Sequence, residues 1–347
     1  MTDVVEEVPI VDFAPALEGT TDGLQTVASA VSNACTNSGF FYLANHSIPK
    51  LLTDRVFECS STFFELSESK KLEISLERSV NFRGYIPFDA RLDAGNRRGT
   101  GGSGFQSHLS DDQIDKQPPD AAESFQMHAE LPADDVDVLA GKPLHGPNQW
   151  PDALPEMRNT LLAYYDGATS LARCVLEVFA VCLDLDRNYF VRFYKKPLMQ
   201  IRLMHYPTHE AGEHVPFGVR PHSDAGAFSM LLQDTNGGLE IHNKRGEWQL
   251  VPPIDGTLVV NIGDTMKLWT NNRFQSTPHR VVNTYGASRY SVPFFANPDY
   301  DAVIEPISTC IDENNPPVFD SLHCGESMLH TYSRIWPSAS VGRGVSD

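Results

Sequence analysis

Apolar positions along the chain recur first at helical spacing and later at strand spacing. In residues 22–78 they fall three and four apart, as in SIPKLLTDRVFECSSTFFELSESKKLEI, so helices are predicted around one short aromatic strand, SGFFYLAN at 38–45. Between 89 and 122 that spacing stops and Gly, Asp, Ser and Pro take over. A long loop is predicted there, read either as a lid over a site or as a plain solvated loop. The helical period returns from about 152 to 193, in LPEMRNTLLAYYDGATSLARCVLEVFAVCLDLD. From 198 to 296 the pattern shortens to LMQIRLMHYP, AFSMLLQD, GGLEIHN, EWQLVPP, GTLVVNIGD, HRVVNT and RYSVPFFANP, with turn residues between the runs. Short strands at this spacing predict a sandwich or barrel. GESMLHTYSRIW closes the chain with a helical pattern. No internal repeat and no Pro- or Gly-rich linker divides the 347 residues, so one folding unit with a β core and helices around it is expected.

Charge narrows the class of partner. With 27 basic and 45 acidic residues the formal charge is -18, which disfavours nucleic acid and anionic membrane surfaces and leaves a small molecule as the expected partner. The start, MTDVVEEVPIVDF, is acidic where a signal peptide is basic. SLARCVLEVFAVCLDL is interrupted by Arg173 and Glu177, so it reads as a buried helix and not a membrane span. A soluble, cytoplasmic protein is expected. Cys35, Cys59, Cys174, Cys182, Cys310 and Cys324 form no CxxC pair, which suits reduced thiols. GTGGSG at 99–104 satisfies GxGxxG, but NRR precedes it and a polar loop follows, so it reads as loop and not as a dinucleotide site.

Candidate chemistry gathers in RPHSDAG. His222 and Asp224 stand two apart, and on a strand such positions share a face. Alone, the pair is equally a polar turn before a core strand. His279, in QSTPHRVVNT and 55 positions after Asp224, is the candidate third ligand, far enough along to return from across a barrel. Two histidines and a carboxylate on one face of a metal form the facial triad of non-haem Fe(II) oxygenases, with open positions; a closed tetrahedral set would argue for structural zinc. Arg289 and Ser291 repeat the two-apart spacing in RYS. A forked guanidinium beside a hydroxyl suits a carboxylate, and in the apolar run YSVPFFA a buried Arg needs a partner, the alternative being a surface ion pair. Tyr206 in IRLMHYP is either a further hydrogen-bond donor or a core aromatic.

Taken together, HSD at 222–224, STPHR and RYS, with GGLEIH and VVNIGD between them, resemble the 2-oxoglutarate- and Fe(II)-dependent dioxygenases of the isopenicillin N synthase-like superfamily. VPIVDF, SGFFYLANHSIP, NFRGY and AESFQMH extend the resemblance over almost the whole chain. It implies a mainly β fold with flanking helices: an N-terminal helical and strand region at 1–125, a distorted double-stranded β-helix, or jelly roll, at 195–300, and a C-terminal helix at 320–336. It also implies Fe(II) on His222, Asp224 and His279, with the 2-oxoglutarate carboxylate on Arg289 and Ser291, helped by Tyr206. The implied reaction couples decarboxylation of 2-oxoglutarate to succinate and CO2 with O2-dependent oxidation of a C–H bond in a small metabolite. The same ligands serve hydroxylation, desaturation and ring rearrangement.

Met204 replaces the Asn common in plant members, while IRLMHYP, DRNYFVRF and NFRGY are similar to fungal members such as thymine 7-hydroxylase and oxygenases of secondary metabolism. Ala225 is small where several relatives carry an aromatic residue, leaving room for a larger substrate. Phe295, on the face of Ser291 by parity, and Tyr85, after NFRG, are the candidate substrate contacts; both read equally as ordinary packing aromatics. Two other functions fit the pattern. One is a same-fold oxidase that holds its substrate's carboxylate on Arg289 and Ser291 without 2-oxoglutarate. The other is a binding protein without turnover, disfavoured because a binder has no need of both triad and Arg289.

Overall fold

The computed structural model describes residues 8–88, 120–208, 217–283 and 286–336. Most of the loop expected at 89–122, with GTGGSG inside it, lies outside the described residues. Strands β1 (Ile10–Asp12), β2 (Phe40–Ala44), β3 (Gly84–Ile86), β4 (Glu123–His128), β5 (Gln200–Tyr206), β6 (Phe217–His222), β7 (Phe228–Gln233), β8 (Leu239–His242), β9 (Trp248–Leu250), β10 (Leu258–Ile262), β11 (His279–Val282) and β12 (Arg289–Ala296) build two sheets. The larger has the order β1-β2-β10-β7-β12-β5-β4-β3 and the smaller β6-β11-β8-β9. All pairs but β1–β2 are antiparallel. This is a jelly-roll core, with helices flanking it.

The period of two sorts each central strand between two environments. On β12, Val292, Phe294 and Ala296 are fully buried on one face, with Phe228, Met230 and Leu232 of β7 alongside them in the same apolar cluster. That face meets the helix Pro155–Cys182, where Tyr165 lies 5.9 Å from the ring of Phe294 and Phe179 lies 5.3 Å from Phe228. The opposite face, with Arg289, Ser291, Pro293 and Phe295, turns toward the smaller sheet. The site therefore sits between the sheets.

Local chemistry sets the helices. Thr20 caps the helix Thr21–Asn37 by accepting from the Gly23 N–H at 3.1 Å, and the buried Leu24, Val27, Ala28, Val31, Ala34 and Cys35 mark its core-facing stripe. Pro155 opens the long helix, where a missing N–H costs nothing. Arg173, inside that helix, donates to the Tyr194 carbonyl at 3.0 Å, and Glu177 accepts from Arg187 Nε at 3.1 Å. These charges anchor the helix to the turn that follows it. Among the described residues no helix is long and apolar enough to cross a membrane. All six cysteines are free.

Three strands escape the hydrophobic pattern. β6, FGVRPH, carries a Gly and a Pro that normally argue against a strand. β4, ESFQMH, is buried at every position, so alternation is lost, and its polar Glu123 and Gln126 find their partners inside the fold. Glu123 takes Lys71 Nζ at 2.6 Å, Tyr85 Oη at 2.6 Å and His205 Nδ1 at 2.8 Å. β3, only three residues long, pairs with β4.

Candidate active site

His222 ends β6, and His279 opens β11 directly opposite it in the ladder. Asp224 lies past the end of β6, in the turn toward β7. The shared strand face expected for His222 and Asp224 is therefore not what joins them: the turn folds the carboxylate back. The cause is the start of the helix Asp264–Trp269. Its first N–H groups have no partner within the helix, and the turn's carbonyls supply them. Gly263 N donates to Ala227 O at 2.9 Å, Asp264 N to Asp224 O at 2.7 Å, and Thr265 N to Gly226 O at 3.1 Å. A Cβ on Gly263 would stand 2.2 Å from Gly226 O, so only glycine admits this approach.

One atom from each of the three residues is left to meet the other two. His222 Nδ1 donates to Arg220 O at 2.7 Å and His279 Nδ1 to Thr277 O at 3.2 Å. A carbonyl only accepts, so the proton sits on Nδ1 and Nε2 keeps its lone pair. Asp224 Oδ2 accepts from Asn261 Nδ2 at 2.7 Å and from Ser229 Oγ, leaving Oδ1 free. Each Nε2 lies 3.8 Å from Oδ1, and the ligand atoms all fall within 4.8 Å of one another. Burial, then the neighbouring His222, pushes the His279 imidazole down to about 4, against the pull of Asp224. Its ring is neutral near pH 7, as a ligand must be. Burial alone would raise the Asp224 carboxyl; the two imidazoles with Asn261 and Ser229 outweigh it and hold it below its usual value. The donor set fits a hard or borderline divalent ion bound on one face.

On β12 and β5, Arg289 pairs with Tyr206 and Ser291 with Met204. Arg289 is 1% exposed. Its Nη1 donates to Ser291 Oγ at 3.2 Å and Nη2 to Gln233 Oε1 at 3.1 Å, while Nε is buried without a hydrogen bond. Tyr206 Oη is 3.3 Å from Ser291 Oγ, and its ring centre is 4.7 Å from the guanidinium carbon. No carboxylate among the described residues pairs with Arg289. A buried cation with an idle donor fits an acid brought in from outside.

One cavity joins both groups of residues. Ala225, Met204 and Phe295 line it beside the triad, Arg289, Ser291 and Tyr206. Tyr85 is the exception, and the expectation of a substrate contact there is corrected. β3 turns its side chain into the packing under the sheet, 6.0 Å from the ring of Phe63, with its hydroxyl spent on Glu123, and it is not part of the cavity wall.

Several site residues escaped the sequence reading. Asn261, Ser229 and Gln233 hold Asp224 and Arg289, and Arg202 and Gln200 share the β5 face with Tyr206. The signal for the β5 pair was present: with Tyr206 facing the cavity, a period of two brings Met204, Arg202 and Gln200 with it. Ser327, Met328, Thr331, Tyr332 and Ile335 add one face of the C-terminal helix Cys324–Ile335.

Comparison with known proteins agrees with this geometry. Residues 197–298 match the 2OG-Fe(II) oxygenase superfamily, and residues 8–153 match the family described as non-haem dioxygenase in morphine synthesis N-terminal. Clavatol oxidase of Penicillium crustosum is 32% identical over 88% of this chain and 90% of its own. A 2-oxoglutarate-Fe(II) type oxidoreductase of Emericella nidulans is 30% identical over 96% and 91%. A full-length Neurospora crassa structure in complex with alpha-KG superposes with a TM-score of 0.76 at 28% identity, over 93% of this chain and 95% of that one. The chain belongs to the 2OG-Fe(II) oxygenase superfamily. It is an Fe(II)- and 2-oxoglutarate-dependent oxidoreductase that oxidises C–H bonds, within a family that takes small-molecule substrates.

Proposed function

We propose that His222, Asp224 and His279 hold the Fe(II), that Arg289 and Ser291, with Tyr206, receive the far carboxylate of 2-oxoglutarate, and that the rest of the cavity takes a small organic metabolite of the kind met in secondary metabolism. The observation that carries this reading is the set of idle atoms on residues lining one cavity: two Nε2, one Oδ1 and the Nε of Arg289. Bound there, the iron with 2-oxoglutarate and O2 supplies the oxidising chemistry, releasing succinate and CO2.

The chain's own part is positioning. The Nδ1 hydrogen bonds fix both rings, Asn261 and Ser229 fix the carboxylate, and Arg289 orients the cosubstrate by two-pronged donation. Phe295 and Met204 support a substrate lying beside the cosubstrate. The charge of -18 supports a partner that is neither nucleic acid nor an anionic membrane.

The test is anaerobic titration of the Fe(II)-loaded protein with 2-oxoglutarate, followed by the visible charge-transfer band and by succinate release in air. Wild type should give both. His222→Ala and His279→Ala should lose bound iron and the band together, whereas Arg289→Ala should keep iron and require far more 2-oxoglutarate. Iron retention at full stoichiometry in either histidine variant overturns the ligand assignment, and an unchanged 2-oxoglutarate dependence removes Arg289 from its role.

A further inference from the structure

Arg202 forms no ion pair with a carboxylate among the described residues. It sits mid-strand on β5, 7% exposed, with its side chain in the wall of the same cavity. Its Nε donates to Gln126 Oε1 at 3.1 Å, and Nη2 donates to the same oxygen. Gln126 is itself fixed, since its Nε2 donates to Phe82 O at 2.8 Å. These bonds occupy one edge of the guanidinium and leave the Nη1 end without a partner. The single acceptor is a neutral amide, and no carboxylate among the described residues reaches ion-pairing distance. Burying a cation this way is unfavourable unless a counter-charge arrives.

The charge count of the loaded cavity says what should arrive. Among its described lining residues the ionised side chains are Asp224, Arg202 and Arg289. Resting on the reading above, Fe(II) and the 2-oxoglutarate dianion cancel, and Asp224 cancels one guanidinium. One positive charge remains.

The surroundings of Arg202 describe the rest of the ligand. Its guanidinium carbon lies 5.8 Å from the ring centre of Phe295 and 5.6 Å from that of Trp336. Met328, Tyr332 and Ile335 of the C-terminal helix extend the apolar wall. At the polar end, Gln200 accepts from Tyr332 Oη through Oε1, which turns its amide nitrogen away from that bond.

We propose that Arg202 is a specificity-determining residue whose open end binds a carboxylate of the substrate, so that the enzyme acts on a monoanionic organic acid with a flat, apolar body held among Phe295, Tyr332 and Trp336. The carboxylate supplies the missing negative charge. The flat body replaces water against the aromatic walls.

The experiment uses the Fe(II) protein with 2-oxoglutarate under argon. Benzoate, phenylacetate and cinnamate are each titrated by calorimetry beside their primary amides, which keep the shape and lose the charge. In wild type at least one acid should bind about 10- to 100-fold more tightly than its amide, the range expected for a charge-assisted pair in a buried site. Arg202→Met should bring that ratio near one, and Arg202→Lys should keep part of it. Acid and amide binding alike in wild type, no saturable binding by any acid, or a ratio that survives in Arg202→Met overturns the proposal. The 2-oxoglutarate band is recorded on each protein first. Its absence from wild type refutes the cosubstrate reading instead, and its absence from Arg202→Met marks that variant as misfolded, leaving the wild-type and Arg202→Lys ratios to decide.

Discussion

Single atoms decide the proposed metal site. Asp224 has two oxygens, and the structure commits one of them to Asn261 and Ser229 so that the other is free to face Nε2 of both histidines. Removing either donor leaves the ligand in place but lets it rotate. Outer hydrogen-bond partners of this kind are worth roughly 10- to 100-fold in metal affinity. Asn261→Ala and Ser229→Ala should therefore each weaken Fe(II) binding by about tenfold or more in a chelator competition. Their unfolding midpoints, measured without metal, should fall less than those of a core truncation. Unchanged iron affinity in both variants would mean that Asp224 is held by its backbone alone. His222, His279, Arg289 and Ser291 were legible in the sequence because each stands in a short run whose residue types have few other uses together. Tyr85 misled for the opposite reason: an aromatic beside a turn has many uses, and here its hydroxyl belongs to Glu123.

At the scale of elements, the site depends on a glycine that no side chain chemistry would single out. Gly263 lets the start of the helix Asp264–Trp269 press against the turn carrying Asp224, and the hydrogen bonds between them pair the helix's first N–H groups with the turn's carbonyls. Gly263→Ala would put a methyl group 2.2 Å from Gly226 O and 2.9 Å from Asp224 O, both backbone atoms that cannot step aside. The turn must shift. The expected result is a loss of iron affinity together with about 1–3 kcal/mol of stability, the range for overpacking a tight site. Chemical denaturation with and without Fe(II) separates the two effects, and a variant that binds iron as wild type does would show that the turn tolerates displacement. The sequence announced the strands β7, β10 and β12 by their short apolar runs, β-branched in β10 and aromatic in β12, but β6 and β4 remained hidden. In β6 the Gly and Pro mask the strand; in β4 the polar residues do, because their partners Lys71, Tyr85, His205 and Arg202 come from elsewhere in the chain. Pattern reads what a residue prefers, and those pairings exist only after folding.

Across the whole molecule, Glu123 joins regions far apart in sequence. Lys71 and Tyr85 reach it from the N-terminal part and His205 from β5, all within 2.8 Å, and the group is shielded from water. Burial alone would raise the Glu123 carboxyl, but the bonds from His205, Lys71 and Tyr85 outweigh burial and hold it below its usual value. The sign of the pH effect follows. In the unfolded chain Glu123 takes up its proton near its ordinary value of about 4.3; in the folded protein it does so only at lower pH. Its contribution is therefore complete above the unfolded value and is lost as pH falls from there through the folded one. Glu123→Gln removes the countercharge of buried Lys71 at neutral pH, where breaking a buried pair costs about 3–5 kcal/mol. Urea unfolding should show that deficit at pH 7, and the two proteins should converge as pH falls from the unfolded value of about 4.3 through the lower pH at which the folded wild type protonates the same carboxyl. Curves that stay parallel across the acid range would mean that folding does not shift the Glu123 carboxyl. Equal stability at pH 7 would mean that the network fills space and carries no charge pairing. The proposed iron site lies on the other face of β5, so iron bound per protein at pH 7 should hardly change in Glu123→Gln, which separates loss of the pair from loss of the active site.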